Sequence, residues 1–423
     1  MTSDMTLARK VALALLGDVL EERRLLAEAL PKRLARLSAQ DRARAQRLAT
    51  VALRMLNRSD RMLGPYLKKR PPLRVMNLLR LGVAEICEEG APAHGVINAA
   101  VTIAQGDRKT AGMAGLVNAV LRKVAGETPK WERLPVPQMP KWLRKPLIDD
   151  YGKPVVAAIE AVQARAAPLD LTAKNNPGAL AKRLGGTLLP TGSVRLTGGG
   201  QVSALPGFAD GDWWVQDAAA ALSARILDPD PGEKVLDLCA APGGKTMQLV
   251  ASGADVTAVD ISPARMARVE ENLARTGLEA DCVVADALDY AGGPFDAVLL
   301  DAPCTATGTI RRHPDLPHAR DGSSFPRLFA LQERLIDHAL GLLKPQGKLV
   351  YCTCSLLIDE GEEQLSDALI RHPALCVDRD ALARPGIDPA WIGAEGGLRL
   401  RPDYWAELGG MDGFYIVCLR APG

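Results

Sequence analysis

The sequence predicts a multidomain protein of α plus α/β class: an all-helical N-terminal domain, a small mixed subdomain, and a C-terminal doubly wound α/β domain. Three observations carry that expectation. At 423 residues the chain exceeds one typical domain. Its first part repeats apolar residues at helical spacing, with no alternating strand pattern. From about residue 217, short apolar runs alternate with helical stretches, the βαβ order of a parallel sheet.

The helical domain is expected over 1–127. Leu7, Val11, Leu15, Leu16 and Val19 fall on one helical face. Ser38, with Asp41 three residues on, resembles a capping box that opens the next helix, through Leu48, Val51, Leu53 and Leu56. Further helices are expected near 73–88, 93–105 and 112–125. Residues 128–148 hold Pro129, Pro135, Pro137, Pro140 and Pro146, which predicts a stiff extended linker. Residues 149–216 form the mixed subdomain. In 217–421, buried parallel strands are expected at Val235–Leu238, Val256–Val259, Ala297–Leu300 and Leu349–Tyr351, with a further strand at Asp281–Ala285.

The net charge of +2 hides an asymmetry. Residues 1–140 carry 24 Lys+Arg against 13 Asp+Glu, whereas 141–423 carry 28 against 37. A basic segment on a mildly acidic body suggests a polyanion bound by the N-terminal part, a solvated helix surface being the plainer explanation. No run of about 18 apolar residues occurs, so no membrane span is expected, and the N-terminus lacks a secretory layout. A cytoplasmic monomer with no obligate protein partner is the expectation. The eight cysteines are then expected as free thiols. Cys352 and Cys354, one residue apart on a probable strand, are expected to face opposite ways and form neither a zinc pattern nor a redox pair; no metal site is predicted.

The first α/β strand runs into Cys239-Ala240-Ala241-Pro242-Gly243-Gly244-Lys245-Thr246. Small residues there let a ligand approach the backbone, and the helix that follows offers free amides. Asp260 ends the second strand, 23 residues after Asp237, where such folds accept ribose hydroxyls. Asp286 follows the third strand and is placed to meet an adenine edge. The turn is not G-x-G-x-x-G, P-loop spacing is absent, and a plain strand-to-helix turn stays open.

Asp301-Ala302-Pro303-Cys304 ends the fourth strand, and Cys352-Thr353-Cys354-Ser355 ends a later one. Two thiols and an acid beside a bound methyl donor suggest methylation at carbon 5 of cytosine. That carbon is a poor nucleophile until a thiolate adds at carbon 6, and an acid near ring nitrogen 3 stabilises the charge that develops. Burial as ordinary small residues is the competing explanation for both cysteines. Strand logic does not decide between Cys304 and Cys354.

The runs DLCAAPGGKT (Asp237–Thr246), DAPCTATGTIRRHPD (Asp301–Asp315) and YCTCS (Tyr351–Ser355) resemble the signatures of bacterial RNA 5-methylcytosine methyltransferases. APAHGVINAAVTIA (Ala91–Ala104) and GLVNAVLR (Gly115–Arg122) resemble a NusB-like helical RNA-binding domain. Together they resemble the small-subunit ribosomal RNA cytosine-5 methyltransferase B family, also called Fmu or Sun, across nearly the whole chain. The resemblance implies a Rossmann-like catalytic domain, S-adenosyl-L-methionine as donor, and small-subunit (16S) ribosomal RNA as partner. It implies donor contacts from Cys239, Ala240, Ala241, Pro242, Gly243, Gly244, Lys245, Asp260, Arg265, Asp286 and Asp301. It assigns Cys354 as nucleophile, Cys304 as the cysteine that helps release product, and Asp301 as the catalytic acid. Where the family often has Arg-x-Asn after Pro-Leu, this chain runs Pro168-Leu169-Asp170-Leu171-Thr172-Ala173-Lys174-Asn175.

Arg311-Arg312-His313 is expected to grip RNA phosphate unless it is a solvated loop. Trp213-Trp214 is weighed between base stacking and core packing. Asp359, Glu360, Glu362 and Glu363 read as a solvated helix start. A transfer RNA methyltransferase and a noncatalytic RNA-binding or antitermination factor are the alternatives to the ribosomal enzyme.

Overall fold

The computed structural model describes residues 4–198 and 200–423. It divides into two compact units, one built from residues up to 166 together with 310–322, the other from 167–309 and 323–423.

The first unit is helical: α1 (Asp4–Leu20), α2 (Leu26–Leu34), α3 (Ala39–Arg54), α4 (Leu56–Leu63), α5 (Leu73–Val83), α6 (Ala93–Gln105), α7 (Ala114–Gly126), α8 (Pro129–Arg133), α9 (Lys141–Tyr151) and α10 (Lys153–Gln163). A π-helical turn, Ala84–Glu88, extends α5. The predicted stripes become its core. Leu15, Leu16, Leu48, Leu53, Leu79, Val117 and Leu121 are buried in one apolar cluster; each such side chain contributes about 1.5–3 kcal/mol. Ser38 caps α3, accepting from the Asp41 amide at 3.1 Å; Asp41 answers by accepting from the Ser38 hydroxyl rather than from its backbone. A buried ion pair joins α1 to the π turn, Arg9 Nε and Nη2 donating to Glu85 at 2.6–2.9 Å.

The proline-rich run is not a stiff linker, and this unit does not close at residue 127. Pro129 and Pro154 sit in the first turns of α8 and α10, and Pro140 sits at the N-cap of α9. There a helix needs no amide donor from them, so these three start helices instead of preventing them, while Pro135 and Pro137 lie in the short non-helical stretch before α9 and Pro146 lies inside α9. Arg144 on α9 pairs with the buried Glu160 on α10 at 2.8 Å, and Glu160 also accepts from the Met139 amide. Residues 149–163, expected in the mixed subdomain, are therefore helical and belong here.

The stretch 310–322 also belongs to this unit. Ala319, in the short helix Leu316–Ala319, joins the helical core. Asp315 is buried, and its Oδ2 accepts from the Leu26 amide at 2.8 Å, capping α2, whose own N-cap residue Leu25 supplies no side-chain bond. Arg54 donates to the Arg311 carbonyl at 3.0 Å. Arg311 itself is fully buried, so it does not present a guanidinium to RNA; His313 of the trio is exposed.

The second unit opens with a four-stranded antiparallel sheet, order β2-β3-β1-β4, from β1 (Leu169–Ala173), β2 (Thr187–Leu188), β3 (Val194–Leu196) and β4 (Trp213–Val215), with α11 (Pro177–Leu184) against it. The Asp170 carboxylate, on the Asp-Leu-Thr run, binds Arg195 through two bonds of 2.6 and 2.7 Å. Trp213 and Trp214 are core residues, their indoles donating to the Pro206 carbonyl and to Gln216, so neither is free to stack a base.

After α12 (Ala218–Leu227) come β5 (Lys234–Leu238), α13 (Gly244–Ala251), β6 (Asp255–Asp260), α14 (Pro263–Thr276), β7 (Asp281–Val284), β8 (Phe295–Asp301), α15 (Phe325–Gly341), β9 (Leu343–Thr353), α16 (Glu362–Arg371), β10 (Cys376–Val377), β11 (Leu398–Leu400) and β12 (Phe414–Arg420). The sheet order is β10-β12-β9-β8-β5-β6-β7, with β11 beside β12. Strands β7, β6, β5, β8 and β9 pair in parallel, and β12 returns antiparallel to β9. Strand order reverses between β5 and β8, so a crevice opens beyond their carboxyl ends.

His318 in the first unit gives a pH test of that packing. Burial, then the charge of Arg80, lowers its pKa to about 4. The unfolded ring gains a proton near pH 6.5 and the folded ring resists it, so stability is full above about 6.5 and is lost as pH falls toward 4. The loss is at most about 3 kcal/mol, less the part screened by the ring's remaining solvent contact. Thermal unfolding between pH 7 and 4 is expected to show a steeper acid decline in the wild type than in His318→Gln; identical profiles would contradict it.

Candidate active site

The β5–α13 turn is built for close approach. Cys239 and Gly243 adopt positive φ (64° and 95°). A Cβ on Gly243 would meet Val269 at 3.0 Å, so α14 packs tightly under the turn. Ala240 and Ala241 are buried, and Pro242 and Gly244 complete the curve into α13. Asp237, one residue before the strand end, is fully buried. Its Oδ2 accepts from the Thr246 hydroxyl at 2.6 Å, while Oδ1 has no partner. Burial pushes this carboxyl up to about 7, although the Thr246 bond and Lys245 draw it down.

Asp260 ends β6 as predicted and is preset by the backbone, accepting from the Ala241 and Ser262 amides at 3.2 and 3.0 Å. Arg265 lies over it, Nη1 at 3.4 Å from Oδ2, and donates to the Ala241 carbonyl at 2.6 Å. Asp286 is exposed just beyond β7, where the Ala285 amide donates to the Asp260 carbonyl. The turn and the two strand-end acids thus share one rim. Their donor set suits an adenosyl cofactor: ribose-accepting Asp260, a small-residue turn, and an unpaired oxygen on Asp237.

Lys245 does something the sequence did not show. It leaves the turn and donates from Nζ to Asp301 Oδ2 at 2.7 Å, with Nζ 5.4 Å from the centre of the Phe414 ring. Burial alone would lower its pKa; Asp301, Cys352 and Asp237 outweigh that and raise it, so the ammonium stays charged. Asp301 accepts a second, weak bond from Cys352 Sγ at 3.5 Å.

Cys304 and Cys354 come together, Sγ to Sγ 3.4 Å. All eight cysteines are free. The hydrogen bond to Cys354, then burial, raises the Cys304 thiol well above the usual range, with Glu360 adding to it. Either sulfur can donate across this contact, so the geometry pairs the two thiols without ranking them. Cys239, which burial pushes up to about 12, and Cys352, raised well above the ordinary range by burial and then Asp301, are held as neutral thiols. Cys352 and Cys354 do not face opposite ways. Alternate residues of a strand share a face, and both pack against the same apolar cluster.

The Cys304 loop is clasped by a residue misread from sequence. Glu360 is not part of a solvated helix start but fully buried. It accepts from the Thr305 amide (3.0 Å), the Thr305 hydroxyl (2.5 Å) and Gln332 Nε2 (2.9 Å). Glu362 pairs with Arg399, which also donates to the Ser355 carbonyl just after Cys354. Four acids within five residues look like solvent-facing charge; only the return of the β9–α16 connection to the Cys304 loop reveals the clasp.

Residues 224–420 match the family described as 16S rRNA methyltransferase RsmB/F, and residues 6–126 match the NusB family. The ribosomal RNA small subunit methyltransferase B of Pseudomonas putida is 35% identical, covering 97% of this chain and 98% of its own length. The protein of the same name from Vibrio vulnificus is 34% identical over 89% and 94%. Among solved structures, that of PH0851 superposes with a TM-score of 0.76 over 98% of both chains at 22% identity, a shared fold. Among the described residues, no helix is long and apolar enough to cross a membrane. The chain belongs to the ribosomal RNA small subunit methyltransferase B family, an RNA methyltransferase whose N-terminal domain is of the NusB family.

Proposed function

We propose that this protein methylates carbon 5 of a cytosine in small-subunit ribosomal RNA, with S-adenosyl-L-methionine as donor and Cys354 as transient nucleophile. The observation that carries the reading is the 3.4 Å approach of the Cys304 and Cys354 sulfurs on the rim that also holds the Lys245–Asp301 pair.

Asp260, the turn Cys239–Gly244, Asp286 and, by rearranging, Arg265 would hold the donor, which supplies an electrophilic methyl group on a sulfonium. Cys354, its proton passed to solvent, adds as a thiolate to carbon 6 of the cytosine, and the ring's electron pair moves toward nitrogen 3 and the carbonyl oxygen. A charged Lys245 paired to Asp301 offers fixed positive charge and hydrogen bonding for that displaced charge, in a site where little water screens it. Carbon 5 is then nucleophilic enough to take the methyl group, whose bond to the sulfonium breaks to leave a neutral thioether. Once water has taken the carbon 5 proton, the carbon–sulfur bond to Cys354 breaks and the thiolate departs. Cys304 keeps its proton, so its S–H can donate to the departing sulfur. That gives it a role in release, not in attack.

Three outcomes test this. Cys354→Ala is expected to abolish methyl transfer to 16S RNA from a strain lacking the protein while leaving donor affinity by calorimetry within about twofold. Full turnover by that variant would remove the mechanism. Cys304→Ala is expected to accumulate a protein–RNA species that survives denaturing electrophoresis; its absence, with normal turnover, would contradict the release role. Lys245→Met is expected to lower kcat by about a hundredfold with a smaller change in donor affinity, and the reverse pattern would make Lys245 a donor ligand.

A further inference from the structure

Away from the catalytic rim, the second unit holds a cavity of about 380 Å³ between the end of β1, the β2–β3 turn and the outer ends of α12 and α13. Arg225, Lys174, Thr191, Asn175 and Gln248 line it. The guanidinium of Arg225 is its unusual feature. Among the described residues Arg225 has no hydrogen bond or ion pair, and its Nη1 is buried without a partner. Burial alone lowers its pKa, yet a guanidinium does not give up its proton in a protein. The nearest candidate counter-charge, Asp228, also lines the cavity, but its carboxylate is bound to Arg384 at 2.7 Å. Thr191 is 6% exposed, and its hydroxyl too lacks a partner. Gly192 follows at φ +83°, and a Cβ there would stand 3.3 Å from Arg225 Nη1, so the turn is shaped around the guanidinium. Lys174 adds a second cation whose Nζ is anchored on the Thr276 carbonyl at 2.6 Å.

A half-buried guanidinium left without an anion costs stability, and a buried hydroxyl left without a partner adds to the cost. Two cations, an unpaired hydroxyl and the Asn175 amide around one cavity match the acceptor oxygens of a phosphate group, while the Gln248 amide is engaged with Ala221 and Gln216. We infer that this cavity is a phosphate-binding site, with Arg225 and Thr191 as its central ligands and Lys174 at its margin. The phosphate belongs either to the backbone of the substrate RNA, in which case the inference rests on the function proposed above, or to a free phosphorylated ligand.

The test uses the full chain, with inorganic phosphate as one probe and 16S RNA as the other. Arg225→Met and Thr191→Val are compared with the wild type. Without phosphate, Arg225→Met is expected to melt at or above the wild-type temperature, because it removes an uncompensated charge; a purely structural arginine would give a lower one. Wild-type Tm is expected to rise with phosphate at low ionic strength, with affinity about ten- to a hundredfold weaker in Arg225→Met and reduced in Thr191→Val. If the group is on RNA, the slope of log affinity against log salt becomes shallower by about 0.7–0.9 in Arg225→Met, with the rate at saturating RNA unchanged. A phosphate response without that change in slope assigns a free ligand. Phosphate and RNA responses equal in wild type and Arg225→Met, or a large loss of Tm in phosphate-free Arg225→Met, would overturn the site.

Discussion

The parallel pairing of β8 with β9 is the constraint on which the chemistry depends. It sets Asp301 opposite Cys352 in register, so the loops leaving the two strands start side by side on one rim. Cys304 lies three residues beyond one strand-end acid, and Cys354 one residue beyond the end of the other strand. The short walk along each loop brings the sulfurs to 3.4 Å. Glu360, reaching into the Cys304 loop, and Arg399, holding the Ser355 carbonyl, then fix both loops from behind. A one-residue slip of β9 would turn its side chains to the opposite face and take Cys354 with them.

Electrostatics sorts the thiols. Burial holds Cys239 protonated, and the charges of Asp301, Asp260 and Asp237, crowded at one end of the sheet, add to it. Lys245 offsets this crowding at Asp301, where a charge-assisted bond of 2.7 Å ties the β5–α13 turn to the Asp301 carboxylate. The same lysine therefore links the cofactor turn and the reacting base in the proposed mechanism. Cys304, farther along the rim, is governed by its partner sulfur and by Glu360 rather than by the carboxylate cluster.

Much of this was legible in the sequence because it rests on period. The stretches predicted near 73–88, 93–105 and 112–125 correspond to α5 with its π turn, α6 and α7. The four buried apolar runs are β5, β6, β8 and β9, and the further strand expected at Asp281–Ala285 is β7, half-exposed at the sheet edge; their ends supply the rim. Long-range partners were not legible. Pro129 and Pro140 read as linker residues because a sequence does not show that each sits at a helix start. Arg311 read as a phosphate contact or solvated loop, and Glu360 as solvated, because charged side chains usually lie at the surface; their burial depends on elements distant in the chain. Lys245 read as a donor ligand because its partner Asp301 lies 56 residues on. The difference between Cys304 and Cys354 rests on family resemblance; the structure adds that the two sulfurs are in contact.

The central claim is that Cys354 forms the covalent bond to the base. It is tested most directly with 16S RNA in which cytosine is replaced by 5-fluorocytosine. Fluorine at carbon 5 does not leave as a proton does, so a methylated adduct stalls on the enzyme. Digestion and mass spectrometry of the wild-type complex should find the RNA fragment on the peptide bearing Cys354, carrying one added methyl group. Attachment at Cys304, or methyl transfer to cytosine with no trapped species from the fluorinated RNA, would contradict the account.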